Sequence, residues 1–190
     1  MLSYHVVDEE RFLNINKAAE DTLQRVRQII PGLEAEQLQA IITKRPFNVM
    51  SELVDRASVA ADLFVGENAT GRLGMRDIGT VTSSGSININ TAAREVLLLV
   101  PGMNEAAVDT VLGRRAGEPF QDRDLLSEEL SRLGLSPEQV TSLVKHTTIT
   151  SAFFRIRAVA VSQRRQIRRM VEMVVRREGD VITVLSYQEA

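Results

Sequence analysis

Leu13-Asn14-Ile15-Asn16-Lys17-Ala18-Ala19 returns as Ile87-Asn88-Ile89-Asn90-Thr91-Ala92-Ala93, and Pro31-Gly32-Leu33 returns as Pro101-Gly102-Met103. An internal repeat constrains architecture before any other feature of a chain. The echo runs on downstream, where Arg45, Pro46-Phe47 and Leu53 match Arg115, Pro119-Phe120 and Leu126. A supersecondary unit is duplicated over residues 13–54 and 87–126. Copy one is four residues longer between its Asn and its Pro-Gly, close to one helical turn at about 3.6 residues. Such an insertion lengthens a helix and nearly keeps its buried face.

Each copy reads as a short extended entry, a helix, a tight hairpin and a second helix. Asn16 in copy one, and Asn90 and Thr91 in copy two, carry short polar side chains suited to capping the first free N–H groups of the helix. Glu20, Asp21 and Glu95 follow where the helix dipole favours negative charge. Leu23, Val26, Ile29 and Ile30, and Val96, Leu97 and Val100, keep helical spacing and predict a buried stripe. Pro-Gly ends the helix, since proline continues it poorly and glycine tolerates positive φ. Leu38, Ile41 and Ile42, or Val108, Val111 and Leu112, mark the second helix. Leu125, Leu126, Leu130 and Leu133 mark another that ends at Gly134. Ser136-Pro137-Glu138-Gln139 is a capping-box start for a last helix with Val140, Leu143 and Val144 inside.

After Thr147 to Thr150, rich in β-branched residues, the pattern changes. Phe153 to Val161, Ile167 to Arg177 and Val181 to Tyr187 read as three antiparallel strands, separated by Ser162 to Gln166 and by Glu178-Gly179-Asp180. The fold class is therefore α+β: a helical domain with two helix-hairpin-helix-like repeats joined to a small antiparallel sheet. Residues 1–16 supply an N-terminal strand, 17–150 the helical insertion and 151–190 the C-terminal strands. A small sheet needs a covering layer, so either the helical units or something outside the chain must provide it. Ser83-Ser84-Gly85-Ser86 reads as a hairpin turn or linker; it lacks the Gly-Lys-Ser/Thr pattern of a phosphate loop.

The 190 residues are 44% apolar, enough for one or two domains with a real core. Net charge is only −2, but it is unevenly spread. Residues 151–190 carry eight arginines (155, 157, 164, 165, 168, 169, 176 and 177) against four acids, so the sheet part is basic and the helical part acidic. With no cysteine, redox compartment cannot be read from disulfides. No apolar run approaches the roughly 20 residues that span a bilayer, and no signal peptide is visible. The chain starts abruptly, almost on a strand, which suggests that an upstream segment precedes it.

Asp8-Glu9-Glu10-Arg11-Phe12-Leu13-Asn14-Ile15-Asn16, the stretch Gly79-Thr80-Val81-Thr82-Ser83-Ser84-Gly85-Ser86-Ile87-Asn88-Ile89-Asn90-Thr91-Ala92, and the ending from Phe154-Arg155-Ile156-Arg157-Ala158 through Val184-Leu185-Ser186-Tyr187-Gln188-Glu189 resemble general secretion pathway protein K. That family is the large minor pseudopilin of type II secretion. The resemblance covers most of the chain, least at Ala57 to Met75. It implies a pilin-like periplasmic sheet with a helical domain inserted, an N-terminal helix in the inner membrane, and partnership with the I- and J-type minor pseudopilins at a fibre tip. It also implies a cover for the sheet, the long N-terminal helix. On this reading the chain is the periplasmic domain of a protein held in the inner membrane.

The repeat supports a rival. Asn-Thr-Ala, Leu, Pro-Gly, a second helix, Arg and Pro-Phe also resemble the helix-hairpin-helix of competence DNA receptors and repair proteins. There the hairpin reads Gly-hydrophobic-Gly and its N–H groups hold a phosphate. Here Glu34 and Asn104 stand at the second glycine, Glu36 and Glu105 follow, and this half of the chain is acidic. Nucleic acid is not expected as a partner. The arginines at 164, 165, 168 and 169 could face an acidic surface, although the alternation at Arg155/Arg157 is that of a half-exposed strand.

No catalytic or cofactor-binding residue is assigned, and no enzyme is expected. His5 and His146 are the only histidines; neither has a Cys or His companion for metal or nucleophilic chemistry. Asp8-Glu9-Glu10, Asp122/Asp124 and Glu128/Glu129 could offer oxygen ligands to calcium. None has the spacing or glycine turn of a calcium loop, so no metal ligand is named.

Overall fold

The computed structural model describes residues 2–67, 69–162 and 167–189. The chain begins with β1 (Leu2–Asp8) and ends with β6 (Phe153–Ser162), β7 (Ile167–Glu178) and β8 (Val181–Glu189). These four strands form one antiparallel sheet in the order β1-β6-β7-β8. The link between β6 and β7, with Arg164 and Arg165, lies outside the described residues. The strand read over residues 1–16 stops at Asp8: Glu9–Arg11 is a 3-10 turn that takes the chain out of the sheet.

Between β1 and β6 lie β2 (Leu13–Asn14), α1 (Glu20–Ile29), α2 (Ala35–Lys44), α3 (Glu52–Asp55), α4 (Ala61–Val65), α5 (Met75–Ile78), β3 (Gly79–Thr80), β4 (Ile87–Asn88), α6 (Arg94–Leu98), α7 (Glu105–Gly117), α8 (Leu126–Arg132), α9 (Pro137–His146) and β5 (Thr147–Thr148). The buried hydrophobic side chains among the described residues all lie between Leu13 and Leu143, except Val174 and Val175. The helical half holds the core, and the sheet contributes little to it.

The duplication extends beyond the two helices on either side of Pro-Gly. In each copy the entry strand pairs in parallel with a two-residue strand at the copy's end, Leu13-Asn14 with Gly79-Thr80 and Ile87-Asn88 with Thr147-Thr148. Thr80-Val81-Thr82-Ser83 and Thr148-Ile149-Thr150-Ser151 are therefore equivalent, a second literal repeat in the sequence. The Asn14 amide donates to Ser83 Oγ at 3.0 Å, and the Asn88 amide to Ser151 Oγ at 2.8 Å.

Asn16 and Asn90 do not cap helices. The caps are Ala19 and Ala93, without side-chain bonds. The Asn16 amide instead donates to Phe47 O (2.8 Å) and Val81 O (3.2 Å), while its oxygen accepts from Phe47 N (2.8 Å). Asn90 does the same with Phe120 O (2.9 Å), Ile149 O (3.0 Å) and Phe120 N (2.9 Å). A carboxamide has both donor and acceptor, so one side chain holds the Pro-Phe loop and the closing strand together. Arg45 donates to Ala18 O and Arg115 to Ile89 O, each at 2.7 Å, fixing the same loop to the entry.

The hairpins form at Gly32 (φ 95°) and Gly102 (φ 79°), where a side chain would be strained. The capping box at Ser136 is present: its Oγ accepts from Gln139 N and Gln139 Oε1 accepts from Ser136 N. Ser83 to Ser86 is a linker and not a hairpin turn, because β3 and β4 pair with β2 and β5 and not with each other.

Candidate partner interface

Side chains alternate across a strand, and the register sorts the sheet into two unlike faces. Tyr4 and Val6 lie opposite Ala158 and Ile156; these lie opposite Val171 and Met173; Tyr187 follows on β8. Phe154, Val175 and Val184 extend the same face. Its middle is apolar, with Val175 buried and Arg169 and Glu189 towards its ends, and its margins are bare: Leu2 is 73% exposed, Tyr4 77% and Tyr187 58%. Exposed apolar patches of this kind mark interaction sites. Every residue of β8 is exposed.

The other face is polar. Val7, Arg155, Val174 and Ser186 lie in one row, and His5, Arg157, Glu172 and Gln188 in the next. Arg157 donates to Glu172 at 2.6 and 2.9 Å. A cleft separates this face from the helical half, lined by Arg155, Glu172, Ser186 and Gln188 on one side and Asn48, Met50, Ser51 and Thr82 on the other. Glu9 closes its floor, fully buried. Its carboxylate takes the Thr80 hydroxyl and lies 2.9 Å from Arg155 Nε. Burial pushes its pKa above the usual carboxylate range, and the Arg155 charge and the Thr80 bond pull back only in part.

Carboxylates of the acidic clusters are taken up by hydrogen bonds and ion pairs within the chain. Asp8 Oδ1 accepts from Glu10 N, and Oδ2 from Asn88 Nδ2 and the Thr91 hydroxyl. Glu10 accepts from Ala152 N at 2.7 Å. Asp122 turns back onto Asp124 N at 2.8 Å, Glu128 pairs with Arg132 and Glu129 with Arg114. Among the described residues no group of three His, Asp or Glu converges as a metal would require.

Arg155, Arg157 and Arg176 pair with Glu9, Glu172 and Glu178, so these sheet arginines are matched within the strands and the joining turn. His5 lies exposed on β1 and His146 at the end of α9 against Ser142 O. At the hairpins, Asn104 Oδ1 accepts from Ala107 N at 2.9 Å, and Gln37 Oε1 from Glu34 N at 3.0 Å. The α7 cap is thus occupied by the chain's own side chain at the place where a DNA-binding hairpin presents free N–H groups.

A chain in the crystal structure of the GspK-GspI-GspJ complex from the enterotoxigenic Escherichia coli type 2 secretion system superposes on the whole of this one. The match covers 100% of this chain and 79% of that one, with a TM-score of 0.67 and 16% identity. The fold is that of a GspK-like pseudopilin. No protein-family model matches the sequence, and no curated protein does. The GspK-like fold sets the mixed helix-and-sheet architecture in context: four antiparallel strands carrying a large helical excursion between the first and the second. No helix among the described residues is long and apolar enough to cross a membrane.

Proposed function

We propose that this chain is a minor pseudopilin that helps to build the tip of a type II secretion pseudopilus. The observation that carries the reading is the match over the full chain to a chain of the GspK-GspI-GspJ complex. The open apolar face of the sheet supports it, because a pilin-like sheet of this kind needs a layer over that face. In our reading the layer is the N-terminal helix of the complete protein, which also anchors it in the inner membrane. The partners are I- and J-type minor pseudopilins, met in the periplasm. The helical half, built from two helix-hairpin-helix-like copies, works as scaffold: its bulk stands above the sheet and blocks further subunits from adding on that side. The role is assembly, with no chemical step.

The test is reconstitution. Mixed with the soluble domains of I- and J-type pseudopilins from the same organism, the purified chain should co-elute as a ternary complex in size-exclusion chromatography. Separate elution of the three at micromolar concentration would defeat the reading. Salt-sensitive binding to duplex DNA would instead favour the hairpins as nucleic-acid modules.

A further inference from the structure

Three consecutive acids tie the sheet to both copies of the helical half. Glu9 takes the Thr80 hydroxyl, at the closing strand of copy one. Asp8 takes Asn88 Nδ2 at 3.0 Å and the Thr91 hydroxyl, at the entry of copy two. Glu10 takes the N–H of Ala152 at 2.7 Å, just past the closing Thr-Ile-Thr-Ser of copy two. The 3-10 turn at Glu9–Arg11 explains how neighbours can reach three ways: at about three residues per turn, successive side chains diverge by roughly 120°. Asp8 Oδ1 holds the turn itself through Glu10 N at 2.8 Å.

Little else bonds the two parts together. Among the described residues, the other hydrogen bond from the sheet to residues 13–152 is Arg177 N to Ala152 O at 2.7 Å. Where the polar face of the sheet looks at the helical half there is a cleft, lined by Asn48, Met50 and Ser51 opposite Arg155, Glu172 and Gln188.

We propose that the Asp8-Glu9-Glu10 turn is a locking joint that fixes the angle of the helical half on the sheet. Releasing its bonds frees that angle and leaves each part folded. Copy one hangs from one acid and copy two from the other two, so the copies are locked by different residues.

The chain has no cysteine, which permits spin-label pairs at exposed sites by Gln28→Cys with Thr183→Cys (copy one to sheet) and Ser127→Cys with Thr183→Cys (copy two to sheet). Electron–electron dipolar distances in the otherwise native chain should be single and narrow. In the Asp8→Ala, Glu10→Ala variant the Ser127/Thr183 pair should broaden and shift while the Gln28/Thr183 pair, still held through Glu9 and Thr80, stays narrow and the helical circular dichroism stays. A narrow, unshifted Ser127/Thr183 distance would overturn the proposal. Loss of the helical signal would overturn it too, since the turn would then belong to the folding core. The measurement needs no partner protein, so its outcome is independent of the ternary-complex test.

Discussion

Asn16 and Asn90 each place one carboxamide between a loop about thirty residues on and a closing strand at the copy's far end, with hydrogen bonds of 2.8 to 3.2 Å. Asparagine at a helix entry has the composition of a cap, and nothing in the local sequence distinguishes the two uses. The distinction lies in partners remote in the chain, which is why the residues were visible in the repeat and their role was not. Replacing Asn90 by Ala strands the Phe120 N–H and two carbonyls, and urea unfolding should show a loss of about 2 kcal/mol. Asn16→Ala should lose a similar amount, and an Asn16→Asp change should recover only the Phe47 N–H bond. Glu9 tests electrostatics. Its pKa is raised in the folded chain, mainly by burial, so the folded state binds its proton more tightly than the unfolded state. By linkage, stability falls as pH rises from the ordinary glutamate range through the raised value. The stability of the native chain measured against Glu9→Gln should therefore decline with pH across that window. A flat difference would show that Arg155 fully offsets the burial.

At the scale of elements, the repeat, the Pro-Gly turns, the Ser136 start and the strands from Phe153, Ile167 and Val181 could all be read along the chain, because each rests on periodicity or on a local cap. The closing strands β3 and β5 could not. Two-residue parallel strands leave no periodic trace, and Thr80-Val81-Thr82-Ser83 and Thr148-Ile149-Thr150-Ser151 resemble linker sequence until their partners are known. Ser136→Ala should cost about 1 kcal/mol of unfolding free energy through the lost cap bond. Gly102→Ala should cost about 1 to 2 kcal/mol through its left-handed backbone, although open space surrounds the position where the methyl group would go. Both are read by thermal or chemical denaturation, and the helical circular dichroism should remain.

At the scale of the whole molecule, the sheet and the helical half divide the work. The core lies in the half that carries the duplication, and the open apolar face lies on the half that does not. Which face of the sheet is apolar was not legible in the sequence, because it depends on register, and register needed the pairing of β1 with β6. A charge on that face should separate assembly from folding. Tyr187→Glu, at a side chain 58% exposed, should leave stability within about 0.5 kcal/mol and, in the reading that this face takes the N-terminal helix, block incorporation into a pseudopilus in cells while the soluble ternary complex still co-elutes. The topology also orders events in time. Copy one is sealed when Gly79-Thr80 reaches Leu13-Asn14, copy two when Thr147-Thr148 reaches Ile87-Asn88, and the sheet only when β6 returns to β1. The first two loops lie one after the other and both lie inside the third, and long closures are slow steps. A chain emerging from its N-terminus completes the helical half before the sheet, so an unfinished molecule lacks the face that the proposed assembly requires.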